Sequence, residues 1–396
     1  MFPTDIVIVA GARTPMARYT GSFSEVSAIE LGAHASKEAI RRSGIDPAEI
    51  DHAIFGNVLQ TSADAIYGAR HVALKAGLPI ATPAVTVNRL CGSGIEAIAQ
   101  AAQRLLLGEA NLVLAGGMEN MTQAPFVIRG ARTGLKLGGG VLEDFLFVGL
   151  TDSYCGMPMA LTAEKLADQT GITRKDSDAY ALRSQQAAED ASKAGYFNEE
   201  IVPVQVKQGK KTILVNEDDH RRPETTMETL EKLPPSFKKG GMVTAGNASG
   251  IVDGAAAVVV TREKTAKERG WKPIGRIVSW AVAGVDPTIM GIGPVPSTRK
   301  ALELAGLKLE QIDRVEVNEA FASQYLAVEK ELGLQRDKTN VNGGAIALGH
   351  PLGASGTRLV ITVLNELRRK NLRYGLATAC IGGGQGIAMI VESIQN

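Results

Sequence analysis

A layered α/β fold, duplicated and interrupted by an inserted loop domain, is the architecture this 396-residue chain predicts, and three observations predict it. Short, near-continuous apolar runs such as Leu112-Val113-Leu114-Ala115 alternate with helical patterns, as strands buried on both faces by helices do. Ala39, Gly44, Ile50 and Asp51 match Ala301, Gly306, Ile312 and Asp313 at one common offset, and Ser93-Gly94 meets Ser355-Gly356 at that same offset. From roughly Met121 to Thr244 the correspondence breaks, which marks an insertion. The length exceeds what one hydrophobic core normally supports. The expected division is an N-terminal domain over 1–270, carrying the loop domain at about 121–244, and a C-terminal domain over 271–396.

Taken in order, Met1-Phe2-Pro3-Thr4-Asp5 runs straight into the apolar strand Ile6-Val7-Ile8-Val9 without a basic region, a long apolar stretch or a cleavage site. That start predicts a cytoplasmic protein. Each half then reads as helix, turn, strand, glycine turn, long buried helix and a strand ending in glycines, Gly116-Gly117 in one and Gly382-Gly383 in the other. The central helices open after Cys91-Gly92 and Ala354-Ser355. A pseudo-twofold between the halves brings their N-termini together, where partial positive charge stabilises an anion or a thiolate.

The insertion carries Gly138-Gly139-Gly140, helical segments from Thr162 to Ala194, and loops rich in charge. Lys210, Lys211, Arg221, Arg222, Lys238 and Lys239 form either a solvated face or a clamp for a ligand's phosphates. The run from Gly254 to Val260 is far too short for a membrane span and β-branched enough for a buried strand.

Lys plus Arg total 43 against 42 Asp plus Glu, with no basic stripe interleaved with aromatics, so nucleic acid is excluded as a partner. Three cysteines in so long a chain make no disulfide framework and point to free thiols in a reducing compartment.

Two of those thiols sit where chemistry is done. Cys91 opens Cys91-Gly92-Ser93-Gly94 at a strand-to-helix turn, a setting that favours a nucleophilic thiolate, although packing is the commonest fate of a free cysteine. Cys380 precedes Gly382-Gly383-Gly384, whose amides offer an oxyanion hole beside it. His350 lies between Gly349 and Pro351, in a turn with little side-chain bulk. Asn318, in Asn318-Glu319-Ala320-Phe321, stands at the carboxyl edge of the strand Arg314-Val315-Glu316-Val317, where its amide can hold a water. Ser249 is a turn residue or a hydrogen-bond donor to an amide-bearing ligand arm, and Cys155 is read as packing.

At these blocks the chain resembles a thiolase. The resemblance runs through Asn88-Arg89-Leu90-Cys91-Gly92-Ser93-Gly94, Gly116-Gly117-Met118-Glu119, Thr244-Ala245-Gly246-Asn247-Ala248-Ser249-Gly250, Asn318-Glu319-Ala320-Phe321, the stretch from Asn342 to Pro351, and Cys380-Ile381-Gly382-Gly383-Gly384, and it covers essentially every residue. It implies an α-β-α-β-α layered fold and an acyltransferase that cleaves a 3-ketoacyl-CoA with coenzyme A, or condenses two acetyl-CoA in reverse. It also implies the roles. Cys91 carries the acyl group, His350 activates Cys91 and takes the thiol proton of CoA, and Cys380 handles the C2 proton. Asn318 holds a water for the enolate, and the amides of Cys91 and Gly382 serve the tetrahedral intermediate.

Ser249, Arg222, Met159, Phe321 and Ala245 fall to substrate and CoA contacts. No cofactor or metal is implied, CoA being a substrate, and neither a nucleic-acid nor a membrane partner. Homotetramers, dimers of dimers, are the family's usual assembly, and fatty-acid breakdown its usual setting. Met157-Pro158-Met159 carries proline where acetoacetyl-CoA-specific members have histidine, which favours longer 3-ketoacyl chains over the acetoacetyl-specific alternative. A decarboxylating ketosynthase would lack Cys380, and a non-catalytic acyl-CoA-binding or scaffold protein would have lost one of the three reactive residues. A dinucleotide enzyme would need glycine spacing that Gly382-Gly383-Gly384-Gln385-Gly386 lacks.

Overall fold

The computed structural model describes residues 5–394, so Met1 to Thr4, on which part of the leader reading rested, lie outside it. Nine strands carry the main sheet among the described residues: β1 (Ile6–Arg13), β2 (His52–Gly56), β3 (Ala84–Val87), β4 (Leu112–Glu119), β5 (Val252–Arg262), β6 (Gly275–Gly284), β7 (Arg314–Val317), β8 (Tyr374–Ile381) and β9 (Gln385–Ser393). They run in the order β7-β8-β9-β6-β1-β5-β4-β2-β3, with the two-residue strand Ala17–Arg18 added beside β5. The order β6-β9-β8-β7 repeats β1-β5-β4-β2, and the halves meet where Val7 and Ile8 pair antiparallel with Arg276 and Gly275.

The duplication reaches individual hydrogen bonds. Helices α1 (Ala28–Ser43) and α3 (Pro294–Ala305) end on Gly44 and Gly306 at φ 68° and 67°. Asp51 accepts from the amides of Asn111 and Leu112, and its mate Asp313 accepts from those of Arg373 and Tyr374, so one carboxylate in each half pins the start of a central strand.

One correction follows from the same register. Leu112 and Tyr374 open equivalent strands, so Gly116 and Gly117 lie inside β4, whereas Gly382 and Gly383 fall in the turn after β8. The two glycine pairs are not counterparts. Gly116 is needed for packing, since a Cβ there would sit 2.3 Å from the carbonyl oxygen of Ala256.

Both faces of each half-sheet are buried. In β5, Ala256, Val258 and Val260 pack into the central core with Ile95, Ile98, Leu359 and Val363, while Ala255, Ala257 and Val259 pack against α1 on the other face. The central core is therefore a helical layer, α2 (Ser93–Leu107) with α4 (Leu352–Arg369), held between two sheet faces, and α3 with Ala322–Leu332 covers the far side. This is the layered α-β-α-β-α arrangement.

α2 and α4 touch backbone to backbone. A Cβ on Gly94 would lie 2.4 Å from the amide of Thr357, and one on its mate Gly356 would lie 2.4 Å from the amide of Ile95. The repeated Ser-Gly pair is thus a close-approach device that draws the two helix N-termini together.

The elements between Met121 and Thr244 stay off the main sheet and form small paired strands and helices, among them Met159–Thr170 and Arg174–Lys193. Among the described residues no helix is long and apolar enough to cross a membrane.

Candidate active site

Cys91 sits on a held loop between β3 and α2. Leu90 takes φ 46°, a left-handed conformation that costs a branched residue energy and persists only where the surroundings over-determine it. They do here. The Leu90 amide donates to Asn88 Oδ1 at 2.9 Å, Ser93 Oγ donates to the Leu90 carbonyl at 2.7 Å, and the Arg89 guanidinium pairs with Glu96 and Gln385.

The amides of Gly382 and of Cys91 itself act on the Cys91 sulfur and favour its ionised form. Gly382 is the glycine donor at this site, and its amide acts on the Cys91 side of the cavity.

The expected low thiol pKa is overturned. Burial pushes Cys91 up to about 11, the two amides pull the other way, and the charge of Glu119 adds to the rise. A helix N-terminus lowers a thiol's pKa only where its field outweighs desolvation. Cys380, at the end of β8, is fully buried among Ala160, Ala163, Met290 and Phe321, and burial and the nearby Cys91 raise it further. Both thiols rest protonated.

Three contacts hold His350 in place. Its amide donates to the Gly250 carbonyl at 2.9 Å, tying the turn to the Thr244–Gly250 segment. Its Nδ1 lies 2.5 Å from Ser355 Oγ, which itself donates to the Pro351 carbonyl. Its Nε2 lies 3.2 Å from Asn318 Nδ2. With Ser355 Oγ occupied as a donor, Nδ1 carries the proton and Nε2 keeps its lone pair. Burial, reinforced by the Arg358 guanidinium, lowers the imidazole pKa to about 3, so His350 is neutral with Nε2 unprotonated.

Cys91, His350, Met159, Ser249 and Phe321 line one cavity of about 220 Å³. Met121, Phe147, Leu150, Pro158, Phe237, Ile251, Met290 and Leu352 add to its mostly apolar wall. Asn318 reaches it through His350, Gly382 through the Cys91 sulfur, and Cys380 through its contacts beneath Phe321 and Met159.

Arg222 and Ala245 line a second cavity of about 340 Å³ with His220, Thr229 and Gly246. The segment Thr244–Gly250 bridges the two cavities, contributing to both walls. It is fixed by Asn247, whose carbonyl accepts from the Ala322 amide, and by the Ser249 amide, which donates to the Ala320 carbonyl. Of the other basic residues in the insertion, Arg221 is largely buried against Glu189 and Glu217 and Lys238 pairs with Asp168 on the exposed face, which leaves Arg222 to the cavity.

Sequence reasoning missed the wall residues Phe147, Leu150 and Phe237, which lie in the unrepeated insertion where no internal counterpart flags them. Ser355 was visible only as the repeat mate of Ser93.

The family description "Thiolase, N-terminal domain" matches residues 6–264 and "Thiolase, C-terminal domain" residues 271–393. The chain belongs to the thiolase family. It is similar to the mitochondrial 3-ketoacyl-CoA thiolase of Homo sapiens, 53% identical over 98% of each chain, and to an acetyl-CoA acetyltransferase of Syntrophomonas wolfei, 47% identical over 98% of this chain and 99% of that one. The crystal structure of human mitochondrial 3-ketoacyl-CoA thiolase in complex with CoA superposes with a TM-score of 0.96 at 52% identity, covering 99% of this chain and 98% of that one.

This thiolase is an acyltransferase, and neither the acetoacetyl-specific alternative nor a scaffold is favoured. The cytoplasmic expectation is overturned, because mammalian relatives at 50–53% identity are named mitochondrial and point to that organelle. The apparent lack of a leader carried that expectation, and where a given sequence starts does not report a compartment.

Proposed function

We propose that this thiolase cleaves 3-ketoacyl-CoA substrates longer than acetoacetyl-CoA, with Cys91 as the acyl carrier. The observation that carries the reading is that Cys91 and His350 line one apolar cavity, with the His350 ring oriented by Ser355 and Asn318. As the sulfur attacks the C3 carbonyl, His350 Nε2 takes its proton and the amides of Cys91 and Gly382 receive the growing oxyanion. Such donors are each worth roughly 3 to 4 kcal/mol. Collapse breaks the C2–C3 bond, and the protonated thiol of Cys380 supplies the proton to the acetyl-CoA enolate, which His350 and Asn318 stabilise.

Proton balance then reassigns one step. His350 already holds the proton of Cys91 and cannot take that of CoA. The CoA thiol proton therefore restores Cys380, and His350 returns its own to Cys91 as the acyl group leaves for CoA.

The bridge of Thr244–Gly250 between the two cavities supports a CoA that threads from Arg222 and Ala245, past Ser249, to Cys91. Pro158 and the apolar side chains of Phe147, Leu150 and Met121 support an acyl chain longer than acetoacetyl. The same reading takes the chain as two domains dividing after residue 270. It makes the assembly a homotetramer, which the exposed Phe126, Leu137, Val141 and Leu142 of the insertion support as surface to be covered. Its setting is fatty-acid β-oxidation.

The test follows loss of the Mg²⁺-enolate absorbance of acetoacetyl-CoA and of a longer 3-ketoacyl-CoA as CoA is added, in wild type and Cys91→Ala. Faster loss of the longer substrate, abolished in the variant, is expected. Turnover of acetoacetyl-CoA alone overturns the chain-length reading, and an active variant overturns the role of Cys91.

A further inference from the structure

We propose that Glu119 is a positioning residue that sets the Cys91 loop and the His350 turn relative to each other. The inference rests on the reading of Cys91 and His350 as the reacting pair. Glu119 ends β4, is fully buried, and among the described residues has no side chain of opposite charge bonded to it. Its carboxylate accepts four hydrogen bonds, all from N–H donors. Oε1 takes Asn57 Nδ2 and the Leu59 amide, both at 3.0 Å, and Oε2 takes the Val58 amide at 3.1 Å and the Gly353 amide at 2.8 Å.

The fourth of these crosses between the repeats. Gly353 lies in the first turn of α4, three residues beyond His350, and its amide is one of those a helix start leaves without an intrahelical partner. A carboxylate there is also favoured by the helix dipole. On the other side, Val58, held by its amide, accepts at its carbonyl from Asn88 Nδ2 at 3.2 Å, and Asn88 Oδ1 takes the Leu90 amide beside Cys91. One carboxylate thus connects to the nucleophile's loop through Val58 and Asn88, and to the base's turn through Gly353.

The surrounding backbone leaves no slack. A Cβ on Gly117 would lie 1.8 Å from the Gly353 carbonyl oxygen, so β4 and the start of α4 are already in contact, and small shifts at Glu119 pass directly to both loops. Misplacing reacting groups by about 1 Å can cost roughly 100-fold.

The experiment uses the full-length enzyme. Glu119→Gln keeps the shape but replaces one acceptor oxygen with an NH₂ that faces two N–H groups, so half of the clamp is repelled. The expected result is a fall in kcat of about 10- to 100-fold with KM for CoA within about twofold, and an equal slowing of Cys91 acetylation by acetyl-CoA in a single turnover. Glu119→Asp keeps the charge and should recover part of that loss. Should Glu119→Gln fail to fold, Asn88→Ala cuts the Val58-to-Leu90 link alone and should lower kcat about tenfold with KM unchanged.

A folded variant that melts earlier but keeps kcat within twofold reduces Glu119 to a structural group and overturns the proposal, as does a loss confined to KM. Cys91→Ala in the same assay separates the two readings. If it stays active, the site assignment fails. If it is dead while Glu119→Gln turns over normally, only this inference fails.

Discussion

The Nδ1 of His350 lies 2.5 Å from Ser355 Oγ, and this contact decides which imidazole nitrogen faces the substrate. Ser355 is the repeat mate of Ser93. Each serine donates to a carbonyl of the turn before its helix, Ser93 to Leu90 and Ser355 to Pro351, and each accepts from the same turn, Ser93 from the Arg89 amide and Ser355 from His350. Duplication has thus produced two matching latches, one behind the nucleophile and one behind the base. Ser355→Ala frees the ring to turn and to exchange tautomers. A loss of kcat of about tenfold, equivalent to one hydrogen bond of about 1.4 kcal/mol, is expected with KM for CoA unchanged. Steady-state kinetics at neutral pH will check it, and a wild-type kcat would remove Ser355 from the mechanism.

The raised pKa of Cys91 makes the free enzyme a thiol enzyme at rest. At about 11, roughly one Cys91 in a thousand is ionised at pH 8. Iodoacetamide reacts with the thiolate, so the rate constant for loss of activity should climb about tenfold per pH unit from pH 7 to 9 without levelling. A plateau below pH 8 would mean that the thiolate is already formed in the free enzyme, and that the amides of Gly382 and Cys91 outweigh burial.

Much of this site was legible before any coordinates. Cys91, His350 and Cys380 announce themselves because glycine-rich turns around a reactive side chain have few other uses, and Asn318, Ser249, Met159 and Phe321 lie in blocks that the structure folds around the same cavity. The repeat reading held down to single serines and aspartates. Its failure at Gly116-Gly117 is instructive, since glycine inside a strand for close packing and glycine in a turn for amide exposure look alike in a one-dimensional string. The thiol pKa was misjudged for a related reason. Position at a helix N-terminus is visible in sequence, whereas the desolvation that opposes it depends on atoms brought from Gly382 and the insertion. Glu119 hid for the same cause, as its four donors come from two separate stretches of chain, Asn57–Leu59 and Gly353.

Acid should expose His350 as a weak point of the fold. Its pKa falls from 6.5 to about 3 on folding, so between those values the unfolded chain binds more protons, and stability falls as pH drops from 6.5 toward 3. At pH 5 the cost is about 2 kcal/mol. His350→Gln cannot bind that proton. Melting temperatures of the two proteins at pH 7 and pH 5 should therefore show a smaller acid loss in the variant. Glu119 acts in the opposite direction, because burial raises its carboxyl to about 7 and favours the folded state as pH falls. An equal acid loss in both proteins would show that His350 is not held neutral.

The helix contact at Gly94 and Gly356 makes a prediction about coupling as well as magnitude. An added Cβ at either position meets backbone nitrogen at 2.4 Å, which no rotamer change relieves, so α2 and α4 must move apart. Overpacking of this kind costs about 1 to 3 kcal/mol, and a backbone clash belongs at the upper end. Gly94→Ala and Gly356→Ala should each cost about 3 kcal/mol. The two clashes lie on one interface and face each other across the pseudo-twofold. A single separation of the helices relieves both, so the double variant should lose clearly less than the sum of the two. Urea midpoints of the four proteins close this cycle, and strict additivity would mean that each helix end yields locally instead of moving as a unit. Because Cys91 and His350 ride on these helix starts, the same separation should lower kcat in every variant that lowers the midpoint.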